Sequence, residues 1–177
     1  MARWRWLGLC CFLLLPGLVF YERYSFDKKE PYYAVPVRSD SNVVKLRNDT
    51  YGKGYFGSSR NGNRTHAGVD LVAALESPVF ASKSGRVFFA GYDKGYGQYV
   101  EISHPDGLST RYAHLTNTQV KEGEWVNQNQ LIGTSGKSGN ANDPRIIPHL
   151  HFEIRYKKYP LNPTKGLLDP RAIIQQR

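Results

Sequence analysis

Pro148-His149-Leu150-His151-Phe152-Glu153 lies near the end of a 177-residue chain. Its two histidines stand two residues apart, with Leu150, Phe152 and Ile154 between and after them. On a β-strand successive side chains point to opposite faces. The stretch therefore reads as a strand with one apolar face and one chemical face, on which His149, His151 and Glu153 emerge together. If that face lines a groove, two imidazoles serve one reaction centre. An HxH pair alone would equally suit a polar strand face wetted by solvent, so its meaning depends on the other histidines.

Upstream, His66-Ala67-Gly68-Val69-Asp70 places a histidine and an aspartate four residues apart. That spacing brings them to one side whether the segment is extended or helical, and Gly68 leaves room between them. With His151 they make two imidazoles and a carboxylate, borderline ligands suited to zinc. Three protein ligands leave a fourth position open, as a catalytic zinc site requires. Tyr112-Ala113-His114-Leu115 reads as another strand, with Tyr112 and His114 on a polar face and Ala113 and Leu115 on a packed one. His114 and His149 are then the candidate proton-handling groups. His104 falls in a turn and is left out. No HExxH occurs, so the other common zinc-protease plan is absent.

From about Tyr55 onward the chain is read as all-β. Short apolar runs such as Val87-Phe88-Phe89-Ala90 and Tyr99-Val100-Glu101-Ile102 are divided by Gly, Pro, Asn and Asp. His104-Pro105-Asp106-Gly107 should turn a strand around 98–103 into one around 109–115. No segment keeps an amphipathic helical period for more than about two turns. The Gly-centred turn in Val120–Val126, followed by Gln130-Leu131-Ile132-Gly133, also suits small β-sandwiches that carry a modified lysine, so a covalent carrier is one competing reading. Residues 133–148 read as a Gly/Ser/Asn-rich loop leading into the His149 strand.

The N-terminus has the layout of a signal sequence: Arg3 and Arg5, then an uncharged run from Trp6 to Tyr21. No small-x-small cleavage site follows, which favours a retained signal anchor over 1–21 above a cleaved peptide. Residues 22–53 read as a tether, 54–165 as the functional domain and 166–177 as a C-terminal tail. Cys10 and Cys11, the only cysteines, lie within the apolar run, so the rest of the chain has neither disulfide nor thiolate metal site. The net charge of +9 favours an anionic partner, but no aromatic stacking pattern or recognition helix speaks for nucleic acid.

Taken together, His66-x-Gly-x-Asp70, Tyr112-x-His114-Leu115 and His149-x-His151-Phe152-Glu153 resemble the lysostaphin-type (LytM-like, M23) zinc endopeptidases of peptidoglycan. The resemblance covers about residues 54–165 and includes the glycine-rich approach Gly133–Gly139. It implies a small antiparallel β-sandwich of the duplicated-hybrid-motif type with a groove over one sheet, here preceded by an N-terminal apolar helix. It further implies zinc on His66, Asp70 and His151, with His114 and His149 beside the water. The substrate would be stem or cross-bridge peptides of peptidoglycan, met in the cell envelope outside the cytoplasm. Glu153 would steady a ligand histidine or simply pair with Arg155, and Tyr112 would hydrogen-bond near the oxyanion. Departures from the pattern at Ala74–Pro78 and Asn129 fall in turns. Many relatives act as catalytically silent activators or scaffolds, which is the alternative function.

Overall fold

The computed structural model describes residues 21–39, 43–60 and 63–175. The chain divides into two compact units, residues 1–31 and 32–177. In the first unit residues 21–29 are helical. The apolar anchor expected over 1–21 lies outside the described residues, Tyr21 excepted. Among the described residues no helix is long and apolar enough to cross a membrane.

The second unit is built of short and long strands. Its N-terminal part carries β1 (Val43–Lys45), β2 (Asn48–Asp49), β3 (Gly52–Lys53), β4 (Ser59–Arg60) and β5 (Arg64–Thr65). There follow β6 (Val69–Val72), β7 (Pro78–Phe80), β8 (Gly85–Asp93), β9 (Gly97–Ser103), β10 (Ser109–Thr118), β11 (Trp125–Val126), β12 (Leu131–Ser135), β13 (His149–Tyr156), β14 (Tyr159–Leu161) and β15 (Ile173–Gln175). The all-β reading holds. In place of two separate facing layers, β6 to β14 form one open antiparallel sheet that forks at β10.

The fork has a local cause. One edge of β10 pairs with β9. The other edge pairs with β13 from Ser109 to Ala113, then with β12 from Leu115 to Thr118. Tyr112 stands opposite Val100 and Leu115 opposite Gln98, so β10 spends one residue more than β9. His114 takes φ 63° there. Such a bulge bends a strand and sharpens its twist, which lets the second half of β10 leave β13 and take up β12.

On the core side, Tyr112, Leu115, Leu150, Phe152 and Ile154 are buried with Val69, Leu71, Val100 and Ile102. Each large side chain so buried contributes roughly 1.5–3 kcal/mol. The expected turn at 104–107 joins β9 to β10, closed by Gly107 N–H donating to His104 O at 3.0 Å.

Residues 32–39, 43–53 and 166–175 join this same body. Tyr33, Val37, Val44, Leu46 and Leu168 are core residues. Strand β1 pairs in parallel with β15, and single bridges link Tyr33 to Leu168, Val37 to Val79 and Leu46 to Leu71. This part of the expected tether and tail is thus packed structure. Its attachments are made one to three residues at a time, so no sustained period marks them in the sequence.

Candidate metal centre

Strands β6 and β13 run antiparallel with Asp70 directly opposite His151. Cross-strand partners share a face, so the period-2 pattern of β13 delivers His149, His151 and Glu153 to the side where Asp70 emerges. Gly68 permits the approach of the two segments, since a Cβ there would lie 2.2 Å from Phe152 O.

Three ligand atoms converge. His66 Nε2, Asp70 Oδ1 and His151 Nδ1 form a triangle whose three sides each measure 2.9 Å. The outer contacts fix the tautomers. His66 Nδ1–H donates to Tyr55 O at 2.9 Å, and a carbonyl can only accept, so a neutral His66 turns a lone pair inward. His151 Nε2–H likewise donates to Glu153 Oε1 at 2.9 Å. A tetrahedral zinc with bonds of about 2.0–2.1 Å spaces its ligand atoms about 3.3–3.4 Å apart. The donor set, its scale and its carboxylate-backed histidine therefore fit zinc.

His114 and His149 flank the triangle. Their rings lie 5.2 Å apart, and His114 is 5.8 Å from His151, centroid to centroid. His114 Nδ1–H donates to Ser138 O at 3.0 Å and His149 Nδ1–H to Ile147 O at 2.7 Å. Each keeps Nε2 for the groove; that of His149 is 3.9 Å from Asp70 Oδ1. Burial, helped by the neighbouring imidazoles, pushes His114 down to about 3. Burial likewise brings His149 to about 4, despite the attraction of Asp70. Both rings are neutral at pH 7.

Among the metal-ligand candidates, burial lowers His66 against the pull of Asp70. Burial alone would raise Asp70, but its contacts with His151 and His66 hold it well below the usual carboxylate range. Burial also disfavours charge on His151, yet Asp70 and Glu153 on either side raise it to about 9. A ligand role requires that extra proton to leave.

The five histidine and aspartate residues read from the sequence thus meet in one place. Glu153 does both things expected of it, accepting from His151 and pairing through Oε2 with Arg155. Tyr112 does not reach the site. It is fully buried on the other face, its ring tilted against that of Phe152 with centroids 5.4 Å apart. Its hydroxyl accepts from Ser82 N–H at 2.8 Å and meets Thr110 Oγ1 at 2.9 Å. Strict alternation would have kept His114 with Tyr112. The extra residue in β10 separates them.

Three residues escaped the sequence reading. Tyr96 donates its hydroxyl to Glu153 Oε1 at 2.9 Å, and its glycine-flanked place in Asp93–Gly97 was the available signal. Arg47 and Arg60 both donate to Asp70 Oδ2, at 3.2 and 3.1 Å; an isolated arginine carries no such signal. These residues and the five site residues line a groove of about 680 Å³, large enough for a short peptide stretch.

Known proteins share this arrangement of chain. The model of peptidase family M23 matches residues 64–163. DD-carboxypeptidase/endopeptidase Mpg of Neisseria meningitidis is 38% identical over 112 residues, covering 63% of this chain and 25% of that protein. Murein hydrolase activator NlpD of Escherichia coli is 36% identical over 113 residues, 63% of this chain and 28% of its own length. The chain thus spans about a quarter of these curated relatives. A crystal structure of a zinc-containing peptidase from Vibrio cholerae superposes with a TM-score of 0.63 at 25% identity, covering 78% of this chain and 41% of that one. With the family match extending over more than half of the sequence and enclosing His66, Asp70, His114, His149 and His151, the chain belongs to peptidase family M23.

Proposed function

We propose that the chain is a zinc-dependent endopeptidase that hydrolyses stem-peptide or cross-bridge bonds of peptidoglycan. The observation that carries this reading is the convergence of His66 Nε2, Asp70 Oδ1 and His151 Nδ1 beside two neutral histidines. His66, Asp70 and His151 would hold the zinc. When bound, zinc supplies Lewis-acid polarisation of a carbonyl and lowers the pKa of water toward neutrality.

The chain's own groups do the rest. A peptide laid in the groove brings its carbonyl between the triangle and the rings of His114 and His149. The free Nε2 of one ring accepts a proton from the attacking water. An Nε2–H so formed donates to the developing oxyanion and then to the leaving amine. Backbone acceptors Ser138 O and Ile147 O hold both rings in that tautomer throughout. Glu153, itself held by Tyr96 and Arg155, keeps His151 in place.

Under this reading 54–165 is the catalytic domain, it works in the cell envelope on the anionic wall polymer, and the N-terminal apolar segment would keep it at the membrane. The test is digestion of purified sacculi by wild type and His149→Ala, with fragments identified by mass and bound zinc measured. Peptide-bond fragments from wild type alone, at equal zinc content, are expected. A zinc-replete wild type that releases none from any wall type would end the proposal.

The 36% identity to a murein hydrolase activator favours a second reading, a domain that activates another wall enzyme. It expects His114→Ala and His149→Ala to leave cellular function intact while the fold survives.

A further inference from the structure

Arg47 and Asp49 lie outside the residues matched by the family, yet they reach the site from two directions. Arg47 is 5% exposed. Its backbone N–H donates to Asp70 O at 2.8 Å, and its carbonyl accepts from Gly54, whose own carbonyl accepts from Asp70 N–H. The guanidinium is thereby fixed beside the Asp70 side chain. Nε and Nη2 both reach Asp70 Oδ2 at 3.2 Å. That is the oxygen turned away from His66 and His151, and Arg60 Nη2 also donates to it, at 3.1 Å.

The opposite prong of Arg47 continues the chain of contacts. Nη1 donates to both oxygens of Asp49, at 3.1 and 3.0 Å. Asp49 Oδ2 accepts from Ile147 N–H at 3.2 Å, and Ile147 O accepts from His149 Nδ1–H at 2.7 Å. One path of hydrogen bonds therefore runs from Asp70 through Arg47, Asp49 and Ile147 to His149.

We propose that Arg47 is a positioning residue that organises both halves of the site. By occupying Oδ2 together with Arg60, it leaves Oδ1 as the one oxygen of Asp70 free to face the two histidines. Through Asp49 it fixes the carbonyl that orients the His149 ring. The planar guanidinium fork is what allows one side chain to serve two carboxylates at once. A lysine ammonium is a single point charge and serves one of them. The active site then extends into the β1–β2 segment, upstream of the family match. The inference rests on the endopeptidase reading above.

The test uses the full chain with Arg47→Lys, Arg47→Met and Asp49→Ala. Zinc affinity of the metal-free proteins is measured by competition with a chromophoric chelator, and folding by circular dichroism. Fragment release from sacculi is measured at saturating and limiting substrate. Groups that hold a metal ligand from behind typically change affinity 10- to 100-fold. Both Arg47 variants should weaken zinc binding by about that factor. Asp49→Ala should lower the saturated rate about tenfold or more, leave KM unchanged and keep zinc affinity within about threefold.

A merely structural arginine predicts otherwise: folded Arg47→Lys would bind zinc as wild type does. A folded Arg47→Lys with wild-type zinc affinity overturns the Asp70 half of the inference, and Asp49→Ala with a wild-type saturated rate overturns the His149 half. If Arg47→Met does not fold, the other two variants decide by the same criteria. A wild type that binds no zinc overturns the endopeptidase reading and this inference with it. A wild type that binds zinc and digests sacculi, alongside variants that match it, overturns this inference alone.

Discussion

Asp70 and His151 stand directly across from one another on β6 and β13, with Oδ1 and Nδ1 2.9 Å apart. The cross-strand register of a β-sheet, set by ordinary backbone hydrogen bonds, thus decides the most exacting distance in the site.

Asp70 answers to two arginines as well as to two histidines. Asp70→Asn should therefore cost more than a ligand, because Arg47 and Arg60 would keep their charges without the carboxylate between them. Removing one partner of a buried pair typically costs about 3–5 kcal/mol. Urea unfolding of the metal-free protein should show a loss of that order. Chelator competition should show zinc binding weakened by more than the roughly 10- to 100-fold typical of a group behind a ligand, since a ligand itself is lost. A stability equal to wild type would show that the arginines are satisfied elsewhere.

His114 and His149 hold protons rather than metal in the proposed mechanism. Each changed singly to alanine should lower peptide release by about 10²–10⁴-fold while zinc content per protein stays at the wild-type ratio. Metal analysis beside the sacculus assay separates the two effects. Parallel loss of zinc would move these residues into the ligand set.

Gly68 faces Phe152 O at 2.2 Å from where a Cβ would stand, and Glu153 Cγ at 2.9 Å. The obstacle is backbone, which cannot swing aside as a side chain would. Gly68→Ala should destabilise the fold by about 3 kcal/mol through overpacking and push β6 away from β13. Thermal unfolding and zinc affinity should fall together. An unchanged melting temperature would contradict the close approach.

Lys83 and Tyr33 both donate to Asp106 Oδ2 at 2.7 Å. Burial alone would raise Asp106, but these donors hold it below the usual carboxylate value. A carboxylate depressed in the folded state stabilises fully above its unfolded pKa, about 3.9, and loses that contribution as pH falls through its folded value. Lys83→Met should thus cost about 1–3 kcal/mol at pH 7, and the gap to wild type should narrow below about pH 4. Urea titrations at both pH values measure it. A gap independent of pH would assign the loss to packing of the lysine stem.

Much of this was legible in the sequence because the chemistry follows the strand period. Leu150, Phe152 and Ile154 are buried and His149, His151 and Glu153 share the groove face, as alternation requires. The same rule failed in β10. Alternation puts Tyr112 on the face of His114, but one surplus residue in the bulge separates them and Tyr112 points to the core. Nothing in Tyr112-Ala113-His114-Leu115 announces that bulge, since His114 carries the positive φ without being a glycine. The arginines at Asp70 were illegible for another reason. Arg47 reaches it over 23 positions by pairing Leu46 with Leu71, a contact of the folded chain alone. The folded character of 32–39 and 43–53 is hidden similarly, by pairings of one to three residues.

The spare residue of β10 also bears on how this domain can change. A deletion of one codon between Tyr112 and Leu115 would leave both apolar neighbours in step with β9. It would also take away the bend at which β10 passes from β13 to β12, and if the residue lost were His114, one of the two proton-handling rings would go with it.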